Sequence, residues 1–465
     1  MKKNPLIKKN MNVVVLGMGV TGASAARYLH LLGANVYVSD ARDEAELTVE
    51  QQQLIDTYCE GFEGGGHSVS YLLRADLVFI SPGIPDDLEV LTEIKKRGIP
   101  VIGELALAAP VLHSMVIAIT GTNGKTTVTT LVGKLLQETG KDVFVGGNIG
   151  KPLLECLMIK KQPDIVVLEV SSFQLENAGT FRPEVGVILN ITPDHLDRHG
   201  SIAEYIRAKV KIFKHQQATD KAIICTDNAI CMELADHLSC SEPVLFGHSK
   251  SCNGYICESL IYVRWEGSIE KYDLSGTVFN NHIGSLNCTA AILAARYGGC
   301  ERKAIEKVLN NFKPLSHRME KVDVINGVVY CNDSKATNTG AVISALTQTK
   351  GKVILIAGGR DKGDDYSLLR DSVSLKVKKA ILIGEAAEKI DNDIGDLVTT
   401  EFALSMDDAV EKASFAALPG DTVLLSPACA SFDMFASYGE RGKAFSDSVQ
   451  QLHHKTRLEQ VIGDK

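Results

Sequence analysis

At 465 residues, the chain is about three times the ~150-residue domain norm, which excludes a single small binding module and predicts two to four domains with their own cores. Hydrophobic residues at 45% and charged ones at 23% exclude a disordered chain. With 49 Lys and Arg against 57 Asp and Glu, the net charge of −8 gives no global field for a nucleic acid or an anionic membrane, so any phosphate must be held by local geometry. Eleven cysteines without a C-x-x-C pair predict free thiols in a reducing cytoplasm rather than a disulfide framework or zinc ribbon. Lys2, Lys3, Lys8 and Lys9 ahead of the apolar run Met11 to Val20 imitate a secretory leader, but Gly17, Gly19 and Gly22 punctuate that run and have a better use. No stretch approaches the ~18 apolar residues of a membrane span.

Three β-branched runs, each followed by glycine-rich or polar residues and a helix-like stretch, predict three α/β domains: Asn12 to Leu16, Met115 to Thr120 and Val353 to Ala357. Boundaries fall near 106 and 314, giving 1–106 and 315–465 as Rossmann-like domains around a central P-loop domain, 107–314. After the first strand, Gly17, Gly19 and Gly22 stand in G-x-G-x-x-G spacing. A helix through Leu32, a stop at Gly33, a second strand and Asp40 complete a Rossmann opening that suits any nucleoside diphosphate. Ser81-Pro82-Gly83 after the strand Leu77 to Ile80 borders the same crevice. Glu44 to Glu60 reads as a surface helix.

Gly121-Thr122-Asn123-Gly124-Lys125-Thr126-Thr127 joins the second strand to a helix over Val128 to Gln137. Its backbone N–H groups can cradle a triphosphate, Lys125 meets the outer phosphates and Thr126 offers a hydroxyl to Mg²⁺. It is a short variant of the P-loop, since Ile119 occupies the first glycine position. Two nucleotide-type sites on one chain point to a ligase that couples ATP cleavage to activation of a nucleotide-tethered substrate. An NAD-dependent oxidoreductase leaves the second loop without a purpose; the other alternative is an ATP-driven switch or interaction protein that uses Lys125 but makes no bond. His195 and His199 stand four apart, but Leu196 takes the place of the glutamate in H-E-x-x-H, against zinc. Lys209 reads on sequence as one of several solvated lysines on an amphipathic helix, and Asn287 as a helix-start cap. Residues from Cys240 to Asn281 read as short strands and turns.

The phosphate loop, Glu169-Val170-Ser171-Ser172-Phe173-Gln174-Leu175-Glu176, Asn332-Asp333-Ser334-Lys335-Ala336-Thr337-Asn338 and Leu424-Leu425-Ser426-Pro427-Ala428-Cys429-Ala430-Ser431 resemble the Mur ligases of bacterial cell-wall synthesis over essentially the whole chain. Within that family, the last three segments resemble the member that adds D-glutamate to UDP-N-acetylmuramoyl-L-alanine through an acyl phosphate. The resemblance implies a cytoplasmic, monomeric enzyme without nucleic-acid partners or membrane insertion, its partners being ATP and those two substrates. Gly19, Val20, Thr21, Gly22, Asp40, Arg42, Ser81, Pro82, Gly83 and Asn148 would hold the UDP-linked substrate. Gly121 to Thr127, Asn287, Arg318, Asp333 and Lys335 would hold ATP. Catalysis would rest on Lys125, Glu169, His195 and Lys209, with one Mg²⁺ at Thr126 and Glu169 and a second at His195 and a CO₂-derived carbamate on Lys209. D-Glutamate would meet Thr337, Lys362, Ser431 and Tyr438. Relatives commonly carry H-N-x-x-N where Leu286 and Ala290 flank Asn287, and Phe where Tyr438 stands. His199 would be a surface residue.

Overall fold

The computed structural model describes residues 3–236, 238 and 243–463. Its strands form three sheets. In the first, five parallel strands lie in the order Gly61–Glu63, Asn35–Ser39, Asn12–Leu16, Leu77–Ile80 and Val101–Ile102. The chain order reverses between Asn12–Leu16 and Leu77–Ile80, so the loops after these two strands open side by side at a switch point, where α/β sheets bind ligands. Val13 to Leu16 are fully buried, as strands covered on both faces must be. The helix Val20–Leu31 ends as predicted, with Gly33 at φ +85°, a left-handed conformation that favours glycine. Glu44 to Glu60 forms two elements instead of one: the 3₁₀ turn Glu44–Glu46 and the helix Val49–Tyr58, divided because the Thr48 side chain accepts the Gln51 amide and restarts the helix.

The second sheet has nine strands. Its parallel part runs Gly254–Cys257, Val244–Gly247, Lys221–Cys225, Val185–Ile188, Met115–Thr120, Ile165–Glu169 and Val143–Gly147. The short strands expected after Cys240 extend it in antiparallel fashion through Leu260–Trp265 and Ser268–Asp273; Cys240 itself lies outside the described residues. The third sheet is ordered Glu320–Ile325, Val328–Asn332, Thr422–Leu425, Val353–Gly358, Val377–Ile383 and Thr399–Ala403, parallel except for the first strand. Separate apolar clusters cover its two faces, one around Leu355 and Leu382, the other around Ile356 and Ile381, as the two-residue alternation of strands dictates. The carboxyl ends of three adjacent strands, Val328–Asn332, Thr422–Leu425 and Val353–Gly358, therefore carry loops 333–337, 426–431 and 359–363 side by side.

By contacts the chain forms two compact units: residues 1–191, 203–280 and 284–311 in one, and residues 192–202, 281–283 and 312–465 in the other. The first two sheets share the first unit. The ten described cysteines are free thiols. No helix among the described residues is long and apolar enough to cross a membrane.

Candidate active site

The first glycine turn and Ser81-Pro82-Gly83 open onto a cleft of about 480 Å³, lined also by Gly19, Val20, Thr21, Asp40 and Asn148. A larger depression of about 790 Å³ near Ser114 and Asp164 lies at the amino ends of strands Met115–Thr120 and Ile165–Glu169, the end of a parallel sheet away from its functional loops. Gly22 lines the cleft only indirectly. A Cβ there would lie 1.9 Å from the Gly17 carbonyl oxygen, so glycine is required for the helix to approach the turn. The Asp40 carboxylate accepts the Met18 amide at 2.6 Å, the Arg42 amide at 2.9 Å, and the Arg42 guanidinium at 2.9 and 3.0 Å. Burial drives this carboxyl up, but the bonds from Arg42 and Met18 outweigh it and hold the group down at about 2. Arg42 thus fixes Asp40 as an anion at the cleft floor.

In the phosphate loop, Gly121 and Gly124 adopt φ +151° and +87°. Asn190 fastens the loop: its carbonyl accepts the Thr122 amide and its side chain exchanges bonds with Asn123 at 2.9 and 3.0 Å. Lys125 opens the helix Lys125–Gln137 and donates to the Gly121 and Thr122 carbonyls at 2.9 and 2.8 Å. Thr127 follows in the first turn. Glu169, buried at the end of its strand, accepts the Thr126 hydroxyl at 2.7 Å on one oxygen and the Asn148 amide at 2.9 Å on the other. One carboxylate thereby joins the phosphate loop to the cleft.

Lys209 is not solvated. It is 1% exposed on the helix Ile202–Val210, donates to the Gly121 carbonyl at 2.8 Å, and stands 4.4 Å from the Tyr205 ring centroid. The Tyr205 hydroxyl pairs with Thr122 at 3.2 Å, a role the sequence did not reveal. Asn287 does not cap a helix start: the helix begins earlier, at His282, and Asn287 is buried inside it. A Cβ on Gly124 would lie 2.5 Å from the Asn287 Oδ1, so Asn287 packs against the phosphate loop. His199 is buried rather than superficial, and no metal-ligating cluster of three His, Cys, Asp or Glu occurs among the described residues.

Sequence reasoning missed Gln174 as a cleft residue. Its amide oxygen accepts the Ser171 amide in a capping box, while its amide nitrogen donates to Glu104 at 3.4 Å. Glu104, buried on the helix Glu104–Ala108, also accepts the Leu154 amide at 3.2 Å. Burial pushes its carboxyl up to about 7 from an ordinary value of 4.5, against the amides of Leu154, Leu153 and Gln174. The folded state then binds more protons than the unfolded state between these values, so this group's contribution to stability falls as pH rises through that window, by on the order of 3 kcal/mol. Glu104→Gln is expected to melt at a higher temperature than the parent at pH 8 and to lose that advantage at pH 5. Equal shifts at both pH values in parallel thermal melts would contradict this.

In the second unit, Asp333 is buried and accepts the Met319 amide at 3.1 Å and the Ser426 hydroxyl at 3.2 Å. Burial pushes it up to about 7, partly offset by the Met319 amide, Arg318 and Ser426. It thereby holds a turn in which His317 and Met319, on either side of Arg318, adopt left-handed φ of +61° and +45°, a strained backbone of the kind found at functional sites. His195 is likewise left-handed, at φ +54°, and precedes the short helix Leu196–His199. Its neighbour Asp194 accepts the Lys362 ammonium at 3.2 Å and the Asn338 amide at 3.0 Å. Thr337 and Ser431 occupy adjacent loops. The Tyr438 ring stands 5.0 Å from the Lys335 Nζ.

Family models match along the chain: Mur ligase MurD-like, N-terminal domain, over residues 11–103; Mur ligase middle domain over 119–295; and Mur ligase, glutamate ligase domain, over 317–429. A UDP-N-acetylmuramoylalanine–D-glutamate ligase of Desulfotalea psychrophila is 48% identical, covering 97% of this chain and 98% of the relative. One of the same name from Geotalea uraniireducens is 41% identical, covering 95% and 98%. Among solved structures, a pseudomurein peptide ligase type C from Methanothermus fervidus has TM-score 0.60 at 22% identity, covering 95% of this chain and all of that one. UDP-N-acetylmuramate-alanine ligase from Thermotoga maritima has TM-score 0.58 at 19% identity, covering 95% and 99%; both likenesses concern the fold. With three matched domains, near full-length relatives and a phosphate loop wired to a nucleotide-type cleft, the chain belongs to the Mur ligase family.

Proposed function

We propose that this ATP-dependent ligase joins D-glutamate to UDP-N-acetylmuramoyl-L-alanine in the cytoplasm, acting as a monomer with domains 1–106, 107–314 and 315–465. The observation that carries the reading is the double engagement of Glu169 with Thr126 in the phosphate loop and Asn148 in the cleft. A substrate anchored through its diphosphate in the cleft then extends its carboxylate toward the triphosphate. A carboxylate oxygen attacks the γ-phosphorus and ADP leaves. The neutral amine of D-glutamate attacks the resulting acyl phosphate at carbon, and phosphate departs with the former carboxylate oxygen as the nitrogen gives up one proton and the amide forms. Phosphorylation is needed because oxide is not a viable leaving group.

The hard oxygens of Thr126 and Glu169 fit Mg²⁺, which when bound offsets the repulsion between carboxylate and triphosphate. His195 and Lys209 would hold a second Mg²⁺. Lys209 serves as a carbamate: its ammonium gives up one proton, and the neutral amine then adds to CO₂, forming an N–C bond and releasing a second proton, so that a cation becomes an anion. Lys125 offsets charge on the outer phosphates. Asn287, Arg318, Asp333 and Lys335 hold the rest of ATP, and Thr337, Lys362, Ser431 and Tyr438 hold D-glutamate.

The test is phosphate release from ATP with each amino acid in turn. D-Glutamate alone is expected to support rapid release, and only with the UDP-linked substrate present. Equal release with another amino acid, or release without the second substrate, would replace the reading.

A further inference from the structure

Arg441 is 1% exposed and the bulkiest of the fully buried side chains. Its Nε donates to the Ser334 hydroxyl at 3.1 Å, and its terminal nitrogens donate to the carbonyls of Ala430 at 3.0 Å, Ser334 at 2.9 Å and Cys429 at 3.0 Å. A Cβ on Gly359 would lie 2.9 Å from one terminal nitrogen, so the guanidinium also abuts the third loop. Arg441 is thus the hub at which loops 333–337, 426–431 and 359–363 meet. All four acceptors are neutral oxygens. They satisfy four of the five donors without cancelling the charge, and no carboxylate of the described residues stands within 4.0 Å. Asp433 is the carboxylate whose field reaches it, and that side chain accepts the Glu385 amide.

A buried cation without a counter-ion is costly. The cost is compounded here, because Arg441 sits in the first turn of the helix Tyr438–Gly463, where the backbone already presents the positive end of its dipole. The four bonds tie the loops together, and the charge that comes with them is left to act on what those loops bind. We propose that the unpaired charge of Arg441 sets the selectivity of these loops for an acceptor amino acid bearing a second carboxylate, acting as a positioning and electrostatic residue rather than as a ligand. The inference rests on the anionic acceptor proposed above.

The experiment is a competition between D-glutamate and D-glutamine in one reaction of the full-length enzyme with ATP and the UDP-linked substrate, the two products being quantified by mass spectrometry. Parent enzyme, Arg441→Gln and Arg441→Lys are compared, with thermal melts to establish folding. In Arg441→Gln the preference for D-glutamate is expected to fall by about tenfold or more, while Arg441→Lys keeps it within about threefold at lower overall rate. An unchanged preference in Arg441→Gln would mean that Arg441 only braces the loops, overturning the proposal. If Arg441→Gln does not fold, a preference in Arg441→Lys that falls by about tenfold despite the retained charge overturns it, and a preserved one supports it. Failure of the parent enzyme to use D-glutamate would instead refute the function reading.

Discussion

Replacing Lys125 with alanine is expected to lower kcat/KM by about a thousandfold or more, or about 4 kcal/mol of transition-state stabilisation. The side chain opens the helix Lys125–Gln137, and its ammonium lies between two loop carbonyls, at 2.9 and 2.8 Å. It is therefore held where the outer phosphates of a nucleotide wrapped by this loop would stand. An attacking carboxylate and a triphosphate are both anions, so removal of a fixed positive charge raises the barrier far more than it weakens ground-state binding. The fold should survive, because Lys125 is half-buried and the Gly121 carbonyl it leaves keeps the Lys209 donor. Steady-state kinetics with thermal melts as control check this; less than a tenfold loss would contradict it.

Lys209→Ala is expected to lose on the order of a hundredfold or more in kcat and to regain much of it when acetate or formate is added. The lysine is buried beneath the phosphate loop, against the Gly121 carbonyl and the Tyr205 ring. Its truncation leaves a cavity able to admit a small carboxylate. Full activity of the variant, or loss with no rescue by any short carboxylic acid, would remove the carbamate from the account.

The parts legible in the sequence are those whose physics is local. Gly17, Gly19 and Gly22 announce a tight turn into a helix, and Gly22 meets the close approach that its spacing implies. Gly121 to Thr127 likewise spells a backbone cradle within seven residues. Arg441 was invisible because its acceptors belong to residues 334, 429 and 430, brought together only by the order of strands in the third sheet. Glu104 and Gln174 escaped for the same reason, seventy residues apart. Asn287 was misread because a cap depends on where a helix begins, and the start at His282 carries a weak local signal. Burial of Lys209 and His199 is likewise a tertiary property, set by what packs over an amphipathic helix rather than by the helix itself.

The acyl phosphate is tested most directly by isotope transfer. With both carboxylate oxygens of UDP-N-acetylmuramoyl-L-alanine labelled with ¹⁸O, the mechanism predicts one labelled oxygen in every phosphate released during a turnover with D-glutamate and ATP. Unlabelled phosphate, with both heavy oxygens retained in the UDP-linked substrate or lost to water, would contradict it.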